Sequence, residues 1–427
     1  MGRALLTCTF GTLLFLQGCP PPPQPLLYNF LPIQVGPKGP SPSVFLPNVP
    51  VVSITICTPG TTNCQTINNI IVDTDSPGLR ILKSALHITL PVEQVNANPL
   101  GECVGMGAGN MWGPVSRADV TMSGEPAVDV AVQVIDMTFG VSSPPPDFCA
   151  SNLVDETEGL AGANGILGIA PFQYDNFINT TVSCIGLIPA TCTTLGPLPA
   201  SNYFTCQGGT CTGVSTLFGG LIVQNPVYAL PVDNNGVFVY LKDVPDQGAS
   251  QSSGAVVFGI GTGPTNDPKF ISSGNSYSVV PFSTYDFPVA PADLPGCLVC
   301  GGNSFLDTSS IMMTFYDPSI SRCNVGTLVT FMQTMYCPNP SVTRTAYVPT
   351  GPPGSSELNV NFLVGNGMTL VSSGNSAFHN LAAPSPSMLT NSFDWGVPFF
   401  FGKSIFIAYG QTPFGSPPMW GYAPLPP

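Results

Sequence analysis

Charge is the scarcest property of this chain. Only 8% of its 427 residues are Asp, Glu, Lys or Arg, against about 25% in an average soluble protein. Lys and Arg together number 10 and the net charge is −13. With no basic stripe to neutralise phosphates, no nucleic-acid partner is expected. Histidine is nearly absent: His87 and His379 are the only two, and neither lies in a recognisable motif. That disfavours Ser-His-Asp and Cys-His catalysis. Beyond the N-terminal segment no apolar run reaches the ~20 residues of a membrane helix. No stretch keeps helical periodicity beyond about three turns.

The chain is instead rich in turn and strand formers. It has 46 Gly and 48 Pro, and 43% of its residues are hydrophobic. Val, Ile, Thr and Phe dominate the apolar runs, which reads as an all-β fold of many short strands. Strands are expected at 51–57 and 64–72, the second running straight into Asp73. A hairpin is expected from 118–122 and 128–135, and further strands at 236–241 and 255–259. Residues 172–220 read as a disulfide-pinned insertion, and 20–45 as a Pro-rich stretch without regular structure.

At the N-terminus, Arg3 and the apolar Leu5–Leu16 lead to Leu16-Gln17-Gly18-Cys19. This resembles a bacterial lipoprotein signal, in which Cys19 becomes the lipidated first residue. The PPPPQP that follows reads as a stiff tether. Fourteen cysteines are present. Without Cys8 and Cys19 they form an even set, which in an exported chain implies disulfides. Sequence neighbours suggest Cys57–Cys64, Cys184–Cys192, Cys206–Cys211 and Cys323–Cys337, with Cys103–Cys149 and Cys297–Cys300 completing the set, though other connectivities satisfy the same residues. Cys297-x-x-Cys300 reads as a structural bridge in preference to a metal or redox motif.

Two short stretches carry the chemistry: VDTDS at Val72–Ser76 and LDTSS at Leu306–Ser310. Each places an Asp and a Thr between an apolar run and small hydroxyl residues. Two such loops facing each other bring two carboxylates onto one water, so that one takes a proton while the other supplies one.

On these loops the chain resembles the pepsin-like aspartic peptidases, where each lobe has a strand ending in Asp-Thr-Gly-Ser/Thr and a later apolar-apolar-Gly segment crossing behind it. Here the crossing segments expected are Ile166-Leu167-Gly168 and Phe400-Phe401-Gly402. Ala255–Gly259 resembles the G-x-V-x-F-G of the second lobe, and Met106–Gly113 the flap hairpin. The chain further resembles an uncharacterised bacterial family of exported pepsin-like domains, through Asn48–Pro50, Cys57–Ile67 and Phe393–Gly402. The resemblance implies a bilobal fold with an interlobe cleft and Asp73 and Asp307 as the catalytic pair. Ser76 and Ser310 would bond their own Asp, and Thr74 and Thr308 would tie the loops together. Met106, Gly107 and Trp112 would line the flap and substrate cleft, with Trp112 offering an indole N–H in place of the family's flap Tyr, which here is Met106. Asp75 stands where the family has Gly, crowding the loop and raising the dyad's pKa values, and Arg80 stands where it has Trp, placed to pair with Asp75 or to lie in solvent.

The expected organisation is a signal at 1–18, a tether at 19–45, an N-terminal lobe at 46–245 and a C-terminal lobe at 246–427. The expected activity is hydrolysis of extended peptides by a monomer with no metal or cofactor, held at the periplasmic or cell-surface side of a membrane by lipid on Cys19. The alternatives are a peptide- or ligand-binding protein that keeps the cleft and lacks the chemistry, and a structural surface lipoprotein.

Overall fold

The structure is a computed structural model. It describes residues 29–36, 46–106, 109–140, 149, 154, 159–175, 202–214, 222–281, 290–291, 303–323, 335–349, 357–385, 392–416 and 419–425. It is almost entirely β. The α-helices among the described residues, Pro268–Ile271 and Gly367–Ser372, are one or two turns long. A single large sheet runs through both halves of the chain, with smaller sheets of three and four strands beside it.

The first half is built around Cys64–Asp73. This strand pairs antiparallel with Pro50–Cys57, and the Cys57–Cys64 disulfide closes the turn between them. On its other edge it runs parallel to Gly165–Ile169, with Asp73 opposite Gly168. Gly165–Ile169 in turn pairs antiparallel with Pro77–Leu82, the strand that leaves the Asp73 loop. The crossing strand therefore lies between the strand that enters the loop and the strand that leaves it. Pro77–Leu82 is buried along its whole length, as expected of a strand covered on both faces.

The second half repeats this plan with different lengths. Asn303–Asp307 runs parallel to Ser392–Gly396, with Asp307 opposite Gly396. Ser392–Gly396 meets Met313–Phe315 antiparallel, and Met313–Phe315 runs parallel to Ala382–Pro384. The crossing segment is therefore Asp394-Trp395-Gly396, and the expectation of Phe400-Phe401-Gly402 is corrected. Glycine decides the matter. A Cβ at Gly396 would lie 2.2 Å from the Met312 carbonyl oxygen and 2.6 Å from that of Ser310. Gly168 meets the Ser76 carbonyl oxygen at 2.5 Å in the same way. Val397–Phe400 is instead a buried 3₁₀ turn, and Gly402 donates its N–H to Leu241.

A second correction concerns 20–45. Phe30–Val35 is a strand, paired over six residues with Ser252–Phe258 and at its end with Pro50 and Val51. Its alternation is strict: Leu31, Ile33 and Val35 are buried and Phe30, Pro32 and Gln34 exposed. Proline is tolerated at 32 because its nitrogen turns to the edge where Pro50–Cys57 pairs only with Gln34 and Val35, so no ladder N–H is needed there. The strand joins the two halves of the sheet. The expected hairpin is longer than its sequence signal, pairing Gly109–Thr121 with Pro126–Ile135. The loop between Gly236–Leu241 and Ser252–Phe258 joins two adjacent antiparallel strands.

Four of the expected disulfides are present: Cys57–Cys64, Cys103–Cys149, Cys206–Cys211 and Cys323–Cys337. They fit an oxidising, exported environment. Cys184, Cys192, Cys297 and Cys300 lie outside the described residues, as do the N-terminal signal, Cys19 and most of the 172–220 insertion. No helix among the described residues is long and apolar enough to cross a membrane.

Because a Cβ at Gly396 would press on two backbone carbonyls, Gly396→Ala is expected to destabilise the fold by roughly 1–3 kcal/mol through overpacking. Urea denaturation measures this; a midpoint equal to that of the unmodified protein would contradict the crossing described here.

Candidate active site

The two Asp-Thr loops meet and are bonded to each other. The Thr74 hydroxyl donates to the Leu306 carbonyl at 2.7 Å, and the Thr308 hydroxyl donates to the Val72 carbonyl at 2.6 Å. The Thr308 N–H donates to Thr74 Oγ1 at 3.1 Å. All three bonds are buried, so no water competes for them. Each threonine thus satisfies the carbonyl that precedes the opposite aspartate. Residues 71–76 and 305–310 also share one burial pattern, in which Asp and Thr are covered, the next residue is exposed and the serine is half-buried.

Each aspartate is held by its own loop. Asp73 Oδ1 accepts the N–H groups of Asp75 at 2.8 Å and Ser76 at 3.2 Å, and Asp73 Oδ2 accepts the Ser76 hydroxyl at 2.5 Å. Asp307 Oδ1 accepts the Ser309 N–H at 2.6 Å and Asp307 Oδ2 the Ser310 hydroxyl at 2.7 Å. Burial, and then the charge of Asp307, raise the Asp73 pKa to about 7, against the opposing pull of the Ser76 hydroxyl and the two N–H groups. The pair therefore holds a proton up to near-neutral pH.

Asp75 does not obstruct this arrangement. Its N–H makes the bond to Asp73, and its backbone is not among the residues of positive φ. Glycine's conformational freedom is not required at this position. The side chain is exposed at the rim of the site. The surrounding protein, then the charges of Asp307 and Asp73, raise its carboxyl above the usual range, an effect that solvent at this exposed position screens. The fear that it crowds the loop is corrected; its effect is electrostatic.

Arg80 neither pairs with Asp75 nor lies in solvent. It is fully buried, ion-paired with Glu102 at 3.2 Å and with Asp175, and donates to the Pro77 carbonyl at 2.8 Å. Its place on the doubly covered strand Pro77–Leu82 takes the guanidinium inward, where two acids answer it. Burial raises the Glu102 pKa, and Asp175 adds to that against the pull of Arg80.

Trp112 is likewise corrected. It is fully buried between Phe139 and Phe204, beside Cys103 and Cys149, and its indole N–H donates to the Phe139 carbonyl at 3.0 Å. It has no N–H left to offer a substrate. Met106 is half-buried at the end of the hairpin strand Asn98–Met106, which returns as Gly109–Thr121, and it packs against the cluster of Leu82, Met111 and Ile135. Gly107, at the turn, lies outside the described residues.

One residue of the site was missed. Asp394 Oδ2 lies 2.5 Å from the Ser310 hydroxyl. Burial, then the charge of Asp307, hold its carboxyl well above the usual range, with smaller contributions from Asp75 and Asp73. The signal was an acid inside the apolar run SFDWGVPFFF, unremarked because the crossing segment was placed six residues later. Among the described residues no group of His, Cys, Asp and Glu has the arrangement of a metal site.

Two Asp-Thr loops, each backed by a parallel strand crossing at a glycine, are the pepsin-like arrangement that the motifs implied, and the fold is all-β of that class. The chain belongs to a protein family of unknown function, DUF3443, whose model matches residues 25–422. No curated protein matches it. Among solved structures it is similar to the crystal structure of aspartic proteinase from Irpex lacteus, at 12% identity and a TM-score of 0.47, over 93% of this chain and 97% of that one.

Asp73 binds its proton more tightly in the folded chain than in the unfolded one. Its stabilising contribution is complete below the unfolded value of about 3.9 and is lost as pH rises through about 7. Asp73→Asn is therefore expected to flatten the fall in stability between those limits, where this group contributes up to about 1.4 kcal/mol per pH unit. Urea denaturation at stepped pH tests it; equal slopes in the two proteins would sink the assignment.

Proposed function

We propose that the chain is an exported aspartic-type endopeptidase that hydrolyses extended peptides with Asp73, Asp307 and a bound water. The observation that carries this reading is the cross-bonded pair of loops, with the charge of Asp307 acting on a proton-bearing Asp73. In this reading Asp307 is the ionised member and takes a proton from the water as it attacks the scissile carbonyl. Asp73, protonated, donates a hydrogen bond to the developing oxyanion. The nitrogen leaves after receiving a proton from the pair. Ser76 and Ser310 keep the outer oxygens oriented, and Thr74 and Thr308 keep the two carboxyls at their separation. Nothing in these steps calls for a metal or cofactor. The substrate is a peptide lying between the two loops, in a cleft between an N-terminal and a C-terminal lobe. The disulfides support export, and a lipid on Cys19 would hold the monomer at a membrane with no other membrane contact.

A specific observation favours a second reading, a binding protein that keeps the cleft and lacks turnover. The flap position holds Met106, which has no hydroxyl to donate, and Trp112 cannot substitute for it. Met106 would then close over a substrate by apolar contact.

Incubation of the purified chain with a denatured protein mixture from acid to neutral pH separates the two. Cleavage is expected on the acid side, falling as pH rises through about 7 as Asp73 loses its proton. Asp73→Asn and Asp307→Asn are each expected to abolish it, and pepstatin to inhibit it. Tight peptide binding with no product at any pH would instead establish the second reading.

A further inference from the structure

Ser310 has one hydroxyl hydrogen and stands between two carboxyls. Its Oγ lies 2.7 Å from Asp307 Oδ2 and 2.5 Å from Asp394 Oδ2. A serine hydroxyl donates once and accepts through its lone pairs. Both short contacts are hydrogen bonds only if one of the carboxyls brings its own proton. Asp394 is placed to bring it. Its Oδ1 is buried without a hydrogen-bond partner among the described residues, and an ionised carboxylate there would bury unanswered charge. Asp307 Oδ1, by contrast, accepts the Ser309 N–H at 2.6 Å, a bond that favours the anion.

The surroundings agree. The charged groups that act on Asp394 are acids: Asp307 on the neighbouring strand, then Asp75 and Asp73 from the opposite loop. The two halves of the chain also differ at this point. Phe305 faces Asp394 across the parallel pair, where the first half sets Ile71 against Ile166. Ser76 therefore serves Asp73 with an apolar residue on the crossing strand, while Ser310 serves Asp307 with an acid on it. At this position the crossing strands of the two halves differ by one acid.

We propose that Asp394 is a positioning residue for the aspartyl pair: protonated, it donates to Ser310 Oγ, whose own hydrogen is thereby aimed at Asp307 and fixes the orientation of that carboxyl. Its part in turnover rests on the peptidase reading above; its protonation does not. Loss of the Asp394 proton leaves one hydroxyl hydrogen for two anions, which sets a limit on the alkaline side.

Infrared spectra in the carboxylic-acid carbonyl region count protonated carboxyls without reference to cleavage. At about pH 6 an ordinary Asp, of pKa about 3.9, is ionised. There Asp394→Asn is expected to remove one protonated-carboxyl band and Asp73→Asn another. Asp394→Ala removes the same band and serves if the Asn variant does not fold. A band unchanged in both Asp394 variants overturns the proposal. In turnover, Asp394→Ala is expected to lose roughly tenfold in kcat at unchanged KM, the worth of about one hydrogen bond. Asp394→Asn, which donates through Nδ2, is expected to recover most of that loss, and equal losses in the two variants overturn the positioning role. A chain that cleaves nothing, yet loses the band in Asp394→Asn, overturns the peptidase reading and upholds the protonation.

Discussion

The Thr74 and Thr308 hydrogen bonds are the constraint on which the rest of the site depends. Each hydroxyl is donated to the carbonyl that precedes the opposite aspartate, so the two loops cannot separate without leaving buried carbonyls unpaired. This fixes where Asp73 and Asp307 stand before any packing around them is considered. The strand crossings behind the loops are then obligatory. Gly168 and Gly396 lie where the crossing backbone presses on the serine carbonyls of the two loops. The first-half loop is continuous with the strand that carries the buried Arg80 group, and the second with the aromatic packing around Phe393, Trp395 and Phe399.

With so few cations in the chain, the charged groups nearest the pair are mostly acids. Arg80 is committed to Glu102 and Asp175. Asp73, Asp75 and Asp394 are each raised by enclosure and by the acids near them. Such a group resolves its repulsion by holding protons, not by pairing with cations. This changes the meaning of Asp75. An acid in place of glycine looks disabling when it is imagined as a third anion. Exposed at the rim, with its N–H still on Asp73, it is compatible with the same chemistry.

Local motifs were legible because their meaning is local. The turns that bond Asp73 to Ser76 and Asp307 to Ser310 involve residues two and three positions apart, and the Cys57–Cys64 and Cys206–Cys211 bridges close short hairpins. Phe30–Val35 was concealed by the prolines around it, although its alternation is strict. The second crossing segment was misplaced because two apolar runs ending in glycine, SFDWG and VPFFFG, follow one another. Only the close approach of Ser310 and Met312 distinguishes them. Arg80 and Trp112 were misread for one reason: the side to which a strand residue points depends on what covers each face, and here both faces are covered.

By itself the sequence determined the all-β class, the two Asp-Thr loops and the hydroxyl residues that orient each carboxyl, since all of these follow from spacings of a few residues. The tertiary structure decided which strand runs behind Asp307, where the single nearby arginine is spent, and that a further acid, Asp394, shares Ser310 with the pair. The physical reason is distance along the chain. Asp394 and Ser310 are 84 positions apart, and only the folded sheet brings one hydroxyl hydrogen within reach of both carboxyls.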